Sequence, residues 1–386
     1  MRKLWMNKQW EKWSKEDIRS FQDKFLNWYH DEKRNLPWRA TNDPYAIWIS
    51  EIMLQQTRVD TVIGYYYRFM EQFPTIKDLA GAEEQKLLKA WEGLGYYSRA
   101  RNLKAAAQQI MAEFDGEMPQ TITDIRSLKG IGPYTAGAIG SIAFGLPEPA
   151  IDGNVMRVVS RLFCIEADIA KASSRGVFDK AMRTIISHDE PGEFNQALMD
   201  LGSSICTPTS PLCEECPLQE YCLAYQQGTQ TDFPVKSKKA KPKDMYYIAG
   251  AIEEDGRFLL VQRPETGLLA KMWHFPLLEV DKATYMQLLA YWQDQQLTLD
   301  AVAEEPAPIF PEFPVVWQKR HLGEVTHIFS HLKWHILLFY GRTPSEFSLE
   351  HSQWAAPEEF EQYVFPKPQL KLVEQLKKNH KVDKHF

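Results

Sequence analysis

The sequence predicts a multi-domain chain, an all-α half followed by an α+β half, and three observations carry that prediction. From Ile18 to about Ala224 apolar residues recur at helical spacing. A stretch rich in Gln, Thr and Lys, with two prolines, then interrupts the pattern, and beyond it short apolar runs alternate with turn residues in the manner of strands. At 386 residues with 44% apolar content, the chain is long enough to bury a core in each half.

Each element has its own residues behind it. Leu103, Ala106, Ala107, Ile110, Met111 and Phe114 stand at i, i+3, i+4, i+7, i+8 and i+11, one apolar helix face. Gly93 and Gly95 end one helical segment, Pro119 opens the next, and Gly130 and Gly132 interrupt a third. Gln226 to Lys243 reads as a basic linker: Lys236, Lys238, Lys239, Lys241 and Lys243 crowd together, while Pro234 and Pro242 block helix. Past it, Tyr246 to Ile252, a turn at Asp255-Gly256 and Phe258 to Val261 read as a hairpin. Further strands are expected near Val315 to Lys319, Val325 to Phe329 and Trp334 to Tyr340, with a helix around Ala283 to Gln293. The expected boundaries are 1–225 for the helical domain, 226–244 for the linker and 245–386 for the second domain.

Composition narrows the classes. The start, Met1 to Lys8, mixes charge with a short apolar patch, and no stretch approaches the roughly eighteen apolar residues of a membrane span, so neither secretion nor insertion is indicated. A formal net charge of -6 predicts no global attraction to nucleic acid; any such contact would use a local basic face, backbone amides and helix ends. Four of the five cysteines, Cys206, Cys213, Cys216 and Cys222, form a C-x6-C-x2-C-x5-C run. Thiolates are soft ligands for zinc or iron-sulfur clusters, and four at loop spacing can converge on one centre. Zinc ribbons favour paired C-x2-C knuckles, so these wider gaps fit a 4Fe-4S cluster better, with structural zinc the alternative. Thiols kept as ligands suit a reducing interior, which points to the cytoplasm.

Two short motifs and one isolated acid carry candidate chemistry. Leu128-Lys129-Gly130-Ile131-Gly132-Pro133-Tyr134 places a glycine-flanked turn before a helix near Pro133, where outward amides and a helix N-terminus can receive a phosphate. This is the form of a helix-hairpin-helix DNA-binding turn, although an ordinary connection between core helices shares it. About twenty residues on, Ala150-Ile151-Asp152-Gly153-Asn154-Val155 opens another helix, with Asp152 either a plain N-cap or a working carboxylate. Glu51 sits within the apolar run Ile47 to Leu54, where a carboxyl without a role would be costly to bury.

Taken in order, the hairpin, Asp152 and the cysteine run resemble the endonuclease III superfamily of DNA glycosylases over roughly residues 18–225. Bifunctional members carry a lysine two residues after the second hairpin glycine. Here that position is Tyr134, and a phenol of pKa about 10 forms no Schiff base, so a monofunctional glycosylase is implied. Leu36-Pro37-Trp38-Arg39 and the run from Asp43 to Thr57 are similar to the MutY-type adenine DNA glycosylases, which act on adenine paired with 8-oxoguanine or guanine. That resemblance implies Glu51 as the acid that protonates adenine N7 and Asp152 as the carboxylate that stabilises the sugar cation, with Tyr134 and Asn154 completing the catalytic set. It implies Gln56 as a wedge in the base stack, Arg34, Leu36, Trp38, Arg39 and Gln196 as shapers of the base pocket, and Leu54 and Thr57 among the residues that bind substrate or DNA. Tyr96, Lys129, Gly130 and Gly132 are expected at the DNA, and the four cysteines on a 4Fe-4S cluster. The implied partner is mispaired double-stranded DNA, met by a monomer in the cytoplasm at the nucleoid. A thymine-mismatch or pyrimidine-lesion glycosylase is the rival within the enzyme class, and a non-catalytic iron-sulfur DNA-binding protein the rival outside it.

The two acids suit this chemistry. Adenine leaves poorly as an anion, so its ring needs a proton from a carboxyl kept neutral near pH 7 by burial. The deoxyribose becomes cation-like as the bond breaks, and an ionised carboxylate stabilises it. The target base lies inside a duplex and has to be flipped out. The second domain resembles the family's Nudix-like recognition domain through Ala249-Gly250-Ala251-Ile252, Leu259-Leu260-Val261-Gln262-Arg263 and His327-Ile328-Phe329-Ser330-His331. The resemblance makes Phe329, Ser330 and His331 readers of 8-oxoguanine. The Nudix catalytic box is missing after Gly267, so nothing there would hold magnesium, and the domain is expected to bind without catalysing.

Overall fold

Helix follows helix through the first half of the chain, and most begin where a capping side chain or a proline permits. The structure, a computed structural model, describes residues 8–238, 240–290, 310, 313–318 and 320–379. Residues 1–7, Lys239, Lys319 and the 291–293 end of the expected second-domain helix lie outside the described residues. Two units result, Met1–Glu83 with Ser98–Lys238, and Glu84–Tyr97 with Lys239–Phe386. Residues 84–97, within the 1–225 expected for the helical domain, thus pack in the second unit.

The first unit contains α1 (Lys15–Glu32), α2 (Pro44–Leu54), α3 (Val59–Gln72) and α4 (Ile76–Gly81), and the second takes α5 (Glu84–Ala90). The first unit resumes with α6 (Ser98–Glu113), α7 (Ile122–Ser127), α8 (Pro133–Phe144), α9 (Gly153–Phe163), α10 (Arg175–Ile185), α11 (Pro191–Ser204) and α12 (Leu223–Gln226). Ser14 and Asp17 form a reciprocal capping box on α1; Asp43, Thr75, Thr121 and Asp152 cap α2, α4, α7 and α9. The main core joins Phe21, Phe25 and Tyr29 of α1 to Val155, Val159 and Phe163 of α9 and to Phe194, Leu198 and Leu201 of α11. On α6 the expected face buries Leu103, Ala106, Ala107 and Ile110, but Met111 is 38% exposed. Met111 lies about 80° around the axis from Leu103, at the edge of the stripe, and Phe114 falls beyond the helix end.

Two close fits bring α8, α9 and α11 together. A side chain at Gly137 on α8 would place its Cβ 2.2 Å from the Pro149 carbonyl oxygen, so only glycine lets the approach to Asp152 lie against α8. Asn195 on α11, fully buried, accepts from the Ala150 N–H at 3.1 Å and donates to the Glu148 carbonyl at 2.9 Å and to Ser141 Oγ at 2.9 Å. These bonds satisfy backbone groups that would otherwise be buried without partners.

In the second unit the strands are β1 (Lys243–Glu254), β2 (Arg257–Gln262), β3 (Trp273–His274), β4 (Leu277–Val280), β5 (Val316–Trp317), β6 (Gly323–Ile328), β7 (Leu332–Arg342) and β8 (Ser352–Ala355). The order is β3-β2-β1-β7-β5, with β4 on β1, β6 on β7 and β8 on β2. β1 and β7 run parallel, and the other pairs are antiparallel. Asp255 and Gly256 both take positive φ, as a two-residue hairpin turn requires. One sheet face packs Phe258, Leu260, Ile336 and Leu338 with Leu372 and Leu376 of α14 (Lys367–Asn379); the other packs Ile248, Leu337 and Phe339 with Tyr285 and Leu288 of α13 (Lys282–Ala290). Expected strands shift at their ends: among the described residues of the first, Val316–Trp317 form strand, and Phe329 leaves β6 for the following turn. The short β3, β4 and β8 offer too few alternations to be read, whereas α14 carried helical spacing at Leu372, Val373 and Leu376.

Asn195→Leu keeps volume but strands the Ala150 N–H and the Glu148 carbonyl. It is expected to destabilise the first unit by about 3 kcal/mol, read as an earlier urea unfolding transition.

Candidate active site and cysteine loop

Helix α2 is buried along almost its whole length, Tyr45 to Met53, and Glu51 sits in that run at 5% exposure. Losing its hydration pushes the carboxyl from 4.5 up to about 7; the Tyr134 bond opposes the shift, the nearby Asp152 adds to it, and Arg39 opposes it. Tyr134 Oη donates to Glu51 Oε2 at 2.6 Å. The phenol is itself held well above its ordinary value, first by burial and then by the charges of Glu51 and Asp152. Near neutral pH Glu51 therefore keeps a protonated population that an ordinary glutamate lacks.

Asp152 proves to be both things the sequence allowed. As N-cap of α9 its Oδ1 accepts from the Val155 N–H at 2.7 Å, and Oδ2 accepts from Asn154 Nδ2 at 3.1 Å. The same carboxylate lines a cavity of about 180 Å³. Burial pushes Asp152 up, while the Val155 and Asn154 amides and Arg157 favour its charged form, as does the α9 N-terminus. Of the residues expected from the sequence, the cavity brings together Arg34, Leu36, Trp38, Arg39, Glu51, Leu54, Thr57, Tyr134, Asp152, Asn154 and Gln196. It adds Ile47 and Ser50, from the same Asp43 to Thr57 run, and Val59, Ile142, Met199 and Ser203, which no motif marks. Trp38 also belongs to the core, edge-on to Tyr66. Tyr29 Oη donates to Gln196 Oε1 at 2.8 Å, and Asp200 receives both Arg34 and Arg39.

Gln56, Lys129, Gly130 and Gly132 are not among the cavity's lining residues. Gln56 follows α2, exposed, with φ of 58°. The α2 end that presents it is tied by Arg99, whose Nη1 donates to the carbonyls of Ile52 (2.7 Å), Met53 (3.1 Å) and Gln55 (2.8 Å). In the sequence Arg99 is legible only as an arginine in an apolar helical repeat. In the hairpin, Gly130 has φ of 77°, and a Cβ there would lie 2.6 Å from that of Asn102, so the turn requires glycine; Lys129 is exposed and Gly132 caps α8.

Cys206, Cys213, Cys216 and Cys222 line one small cavity with Arg161 and Tyr225. Burial pushes Cys216 up to about 12 and Cys222 to about 11, with the neighbouring cysteines adding to both shifts. Thiols this hard to ionise together become thiolates when a cationic iron centre compensates them, so the donor set fits the cluster. Arg161 Nη1 donates to Cys206 Sγ at 3.3 Å and to the Thr207 carbonyl at 2.7 Å. Arg157 bonds the carbonyls of Cys206 (2.8 Å) and Gly202 (2.6 Å) and Asn154 Oδ1 (2.9 Å), tying the loop to the Asp152 end of α9.

Three stretches match known families. Residues 49–182 match the HhH-GPD superfamily of base excision DNA repair proteins, 206–222 the iron-sulfur binding domain of endonuclease III, and 247–375 the NUDIX domain. The chain is 37% identical over 401 residues to the adenine DNA glycosylase of Rattus norvegicus, spanning 89% of this chain and 75% of that one. It is 35% identical over 402 residues to that of Homo sapiens (89% and 71%) and 30% over 414 residues to that of Schizosaccharomyces pombe (89% and 87%). The chain belongs to the adenine DNA glycosylase family. As an adenine DNA glycosylase it is a base excision repair enzyme that acts on DNA, with a helix-hairpin-helix domain, a 4Fe-4S cluster and a Nudix-like domain. Among its described residues no helix is long and apolar enough to cross a membrane.

In the second unit of this glycosylase, Phe329, Ser330 and His331 form the turn between β6 and β7, closed by the Phe329 N–H on the Leu332 carbonyl at 2.7 Å. Phe329 packs edge-on against His327 and Trp334, leaving Ser330 and His331 exposed. Tyr96, from the 84–97 segment of the same unit, lies with its hydroxyl 2.9 Å from Ser330 Oγ.

Glu51 binds its proton more tightly folded than unfolded. Between pH 4.5 and about 7 the folded state therefore holds the extra proton, and stability falls as pH rises through that window. Glu51→Gln, which still accepts from Tyr134, is expected to match the wild type below pH 4.5 and to exceed its stability by about 3 kcal/mol at pH 8, as read from denaturant titrations at both pH values.

Proposed function

We propose that this enzyme excises adenine mispaired with 8-oxoguanine or guanine in double-stranded DNA, hydrolysing the N-glycosidic bond with Glu51 as general acid and Asp152 as the carboxylate facing the sugar. The observation that carries the reading is the sharing of one cavity by a buried, Tyr134-bonded Glu51 and by Asp152, held as the N-cap of α9. Tyr134 donates to Oε2, which leaves Oε1 of Glu51 to bear the acid proton. That proton passes to adenine N7 as the bond between C1′ and N9 breaks, its electrons moving onto the base. The positive charge left on the sugar is stabilised by ionised Asp152, which Asn154 holds through Oδ2, until water adds at C1′ and gives up its proton to the Glu51 carboxylate, which restores the acid. Tyr134 offers no amine, so the abasic strand stays intact.

The rest of the chain supports this chemistry. Gln56, exposed on a left-handed residue beyond α2, is the wedge that holds the place of the flipped adenine. Lys129, Gly130 and Gly132 receive a phosphate at the head of α8. Cys206, Cys213, Cys216 and Cys222 are the ligands of the cluster, whose binding closes the loop that Arg157 joins to Asn154. We assign base removal to residues 1–225 apart from 84–97, and lesion reading to 245–386 together with that segment, with 226–244 as the linker. Phe329, Ser330 and His331 read 8-oxoguanine, and Tyr96 works beside them. The enzyme acts as a monomer in the cytoplasm at the nucleoid.

Single-turnover adenine release from duplexes with adenine opposite 8-oxoguanine tests the core of the reading. The rate is expected to fall above pH about 7 as Glu51 ionises, and Asp152→Asn and Glu51→Gln to lose at least about a thousandfold. Unchanged turnover in Asp152→Asn, or faster release of mispaired thymine than of adenine, would overturn it. For the lesion-reading turn, Ser330→Ala is expected to lower the preference for 8-oxoguanine over guanine opposite adenine by about five- to tenfold, one neutral hydrogen bond. The ratio of the two single-turnover rates reads this directly.

A further inference from the structure

Asp200 stands one turn along α11 from Gln196, 5% exposed, and does not line the cavity. Its carboxylate nonetheless holds both cavity arginines. Arg34 donates from Nε at 3.0 Å and also from Nη2; Arg39 donates from Nη1 to Oδ2 at 2.6 Å and from Nη2 to Oδ1 at 3.0 Å. Arg39 also lies over the ring of Tyr29, 5.6 Å from its centroid, and that residue's hydroxyl holds Gln196. One buried anion thus orders a whole wall of the cavity.

It also sets the charge there. Two guanidiniums and one carboxylate leave a single net positive charge; without the carboxylate there would be two. The groups facing Glu51 are Tyr134 from α8, Asp152 from the head of α9 and Arg39 from the 37–39 turn; those around Asp200 are Arg34, Arg39 and Tyr29. Burial pushes Asp200 up, but the bonds and charges of Arg39 and Arg34 outweigh it and hold the group below the ordinary aspartate range, so it stays anionic at working pH.

We propose that Asp200 is a positioning residue for adenine release: it fixes Arg34 and Arg39 in the cavity wall and offsets their charge, so that Glu51 can keep the proton it donates. This rests on Glu51 being the general acid. Uncompensated guanidiniums would favour the Glu51 carboxylate and drain the acid form from the resting enzyme. A merely structural Asp200 would lower the rate equally at every pH.

The test is single-turnover adenine release against pH for the full-length, cluster-loaded enzyme. In Asp200→Asn the alkaline limb is expected to move down by about one pH unit, roughly a tenfold loss above the limb, with the rate recovering at lower pH. Asp200→Glu keeps the anion and leaves the limb in place. Arg39→Gln moves it up, and Arg39→Gln with Asp200→Asn, which restores one net positive charge, returns it near the wild-type position. Should Asp200→Asn not fold, the same downward step between Arg39→Gln and the double variant carries the test. An unmoved limb in Asp200→Asn and in the double variant relative to Arg39→Gln overturns the role of Asp200. A wild type with no alkaline limb, or full activity in Glu51→Gln, fails the general-acid reading instead.

Discussion

A carboxyl group buried in an apolar helix is the constraint on which the first unit depends. Glu51 loses its water and gains one strong partner, the Tyr134 hydroxyl, and the balance leaves it titrating near neutrality. An apolar residue there would give a more stable helix and no acid. The rest of the cavity wall can be understood as keeping that balance: a second carboxylate near enough to matter, arginines whose charge is partly cancelled by Asp200, and apolar walls from Leu36, Trp38 and Met199.

Holding two acids from α2 and α9 in one cavity demands close backbone approach, and small or polar buried residues provide it. Gly137 lets residues 149–150 lie on α8, and Asn195 satisfies their backbone groups from α11. Arg157 extends the same scaffold to the cysteine loop, so Asn154, the loop and α11 share one guanidinium. The cluster loop is therefore part of what holds Asp152 in register, although it stands apart from the cavity.

Much of this is legible in the order of residues. The cysteine spacing, the glycine turn before Pro133, the acid in an apolar run and the change from helical to strand signals each have a local physical cause, and local causes survive folding. Tyr134 is readable because a phenol cannot do an amine's chemistry. Illegible are the residues whose meaning lies in distant partners. Asn195, Arg99 and Asp200 look like ordinary polar positions on helices until the backbone and side chains they bond are seen. Residues 84–97 continue the helical pattern in sequence yet pack in the second unit through Glu84, Gln85, Lys89 and Glu92, because their partners Lys271, Tyr363 and Phe365 lie far along the chain.

The sequence by itself determined the kind of protein: which residue types were available, where the chain turns from helical to strand signals, and which metal chemistry four thiols can serve. Those follow from spacing, capping and ligand softness, all short-range properties. Only the tertiary structure decided that Glu51 and Asp152, about a hundred residues apart, share one cavity, and that Glu51 titrates near 7. A pKa is set by the dielectric and charges around a group after the chain has closed on it, and nothing in the order of residues states that environment.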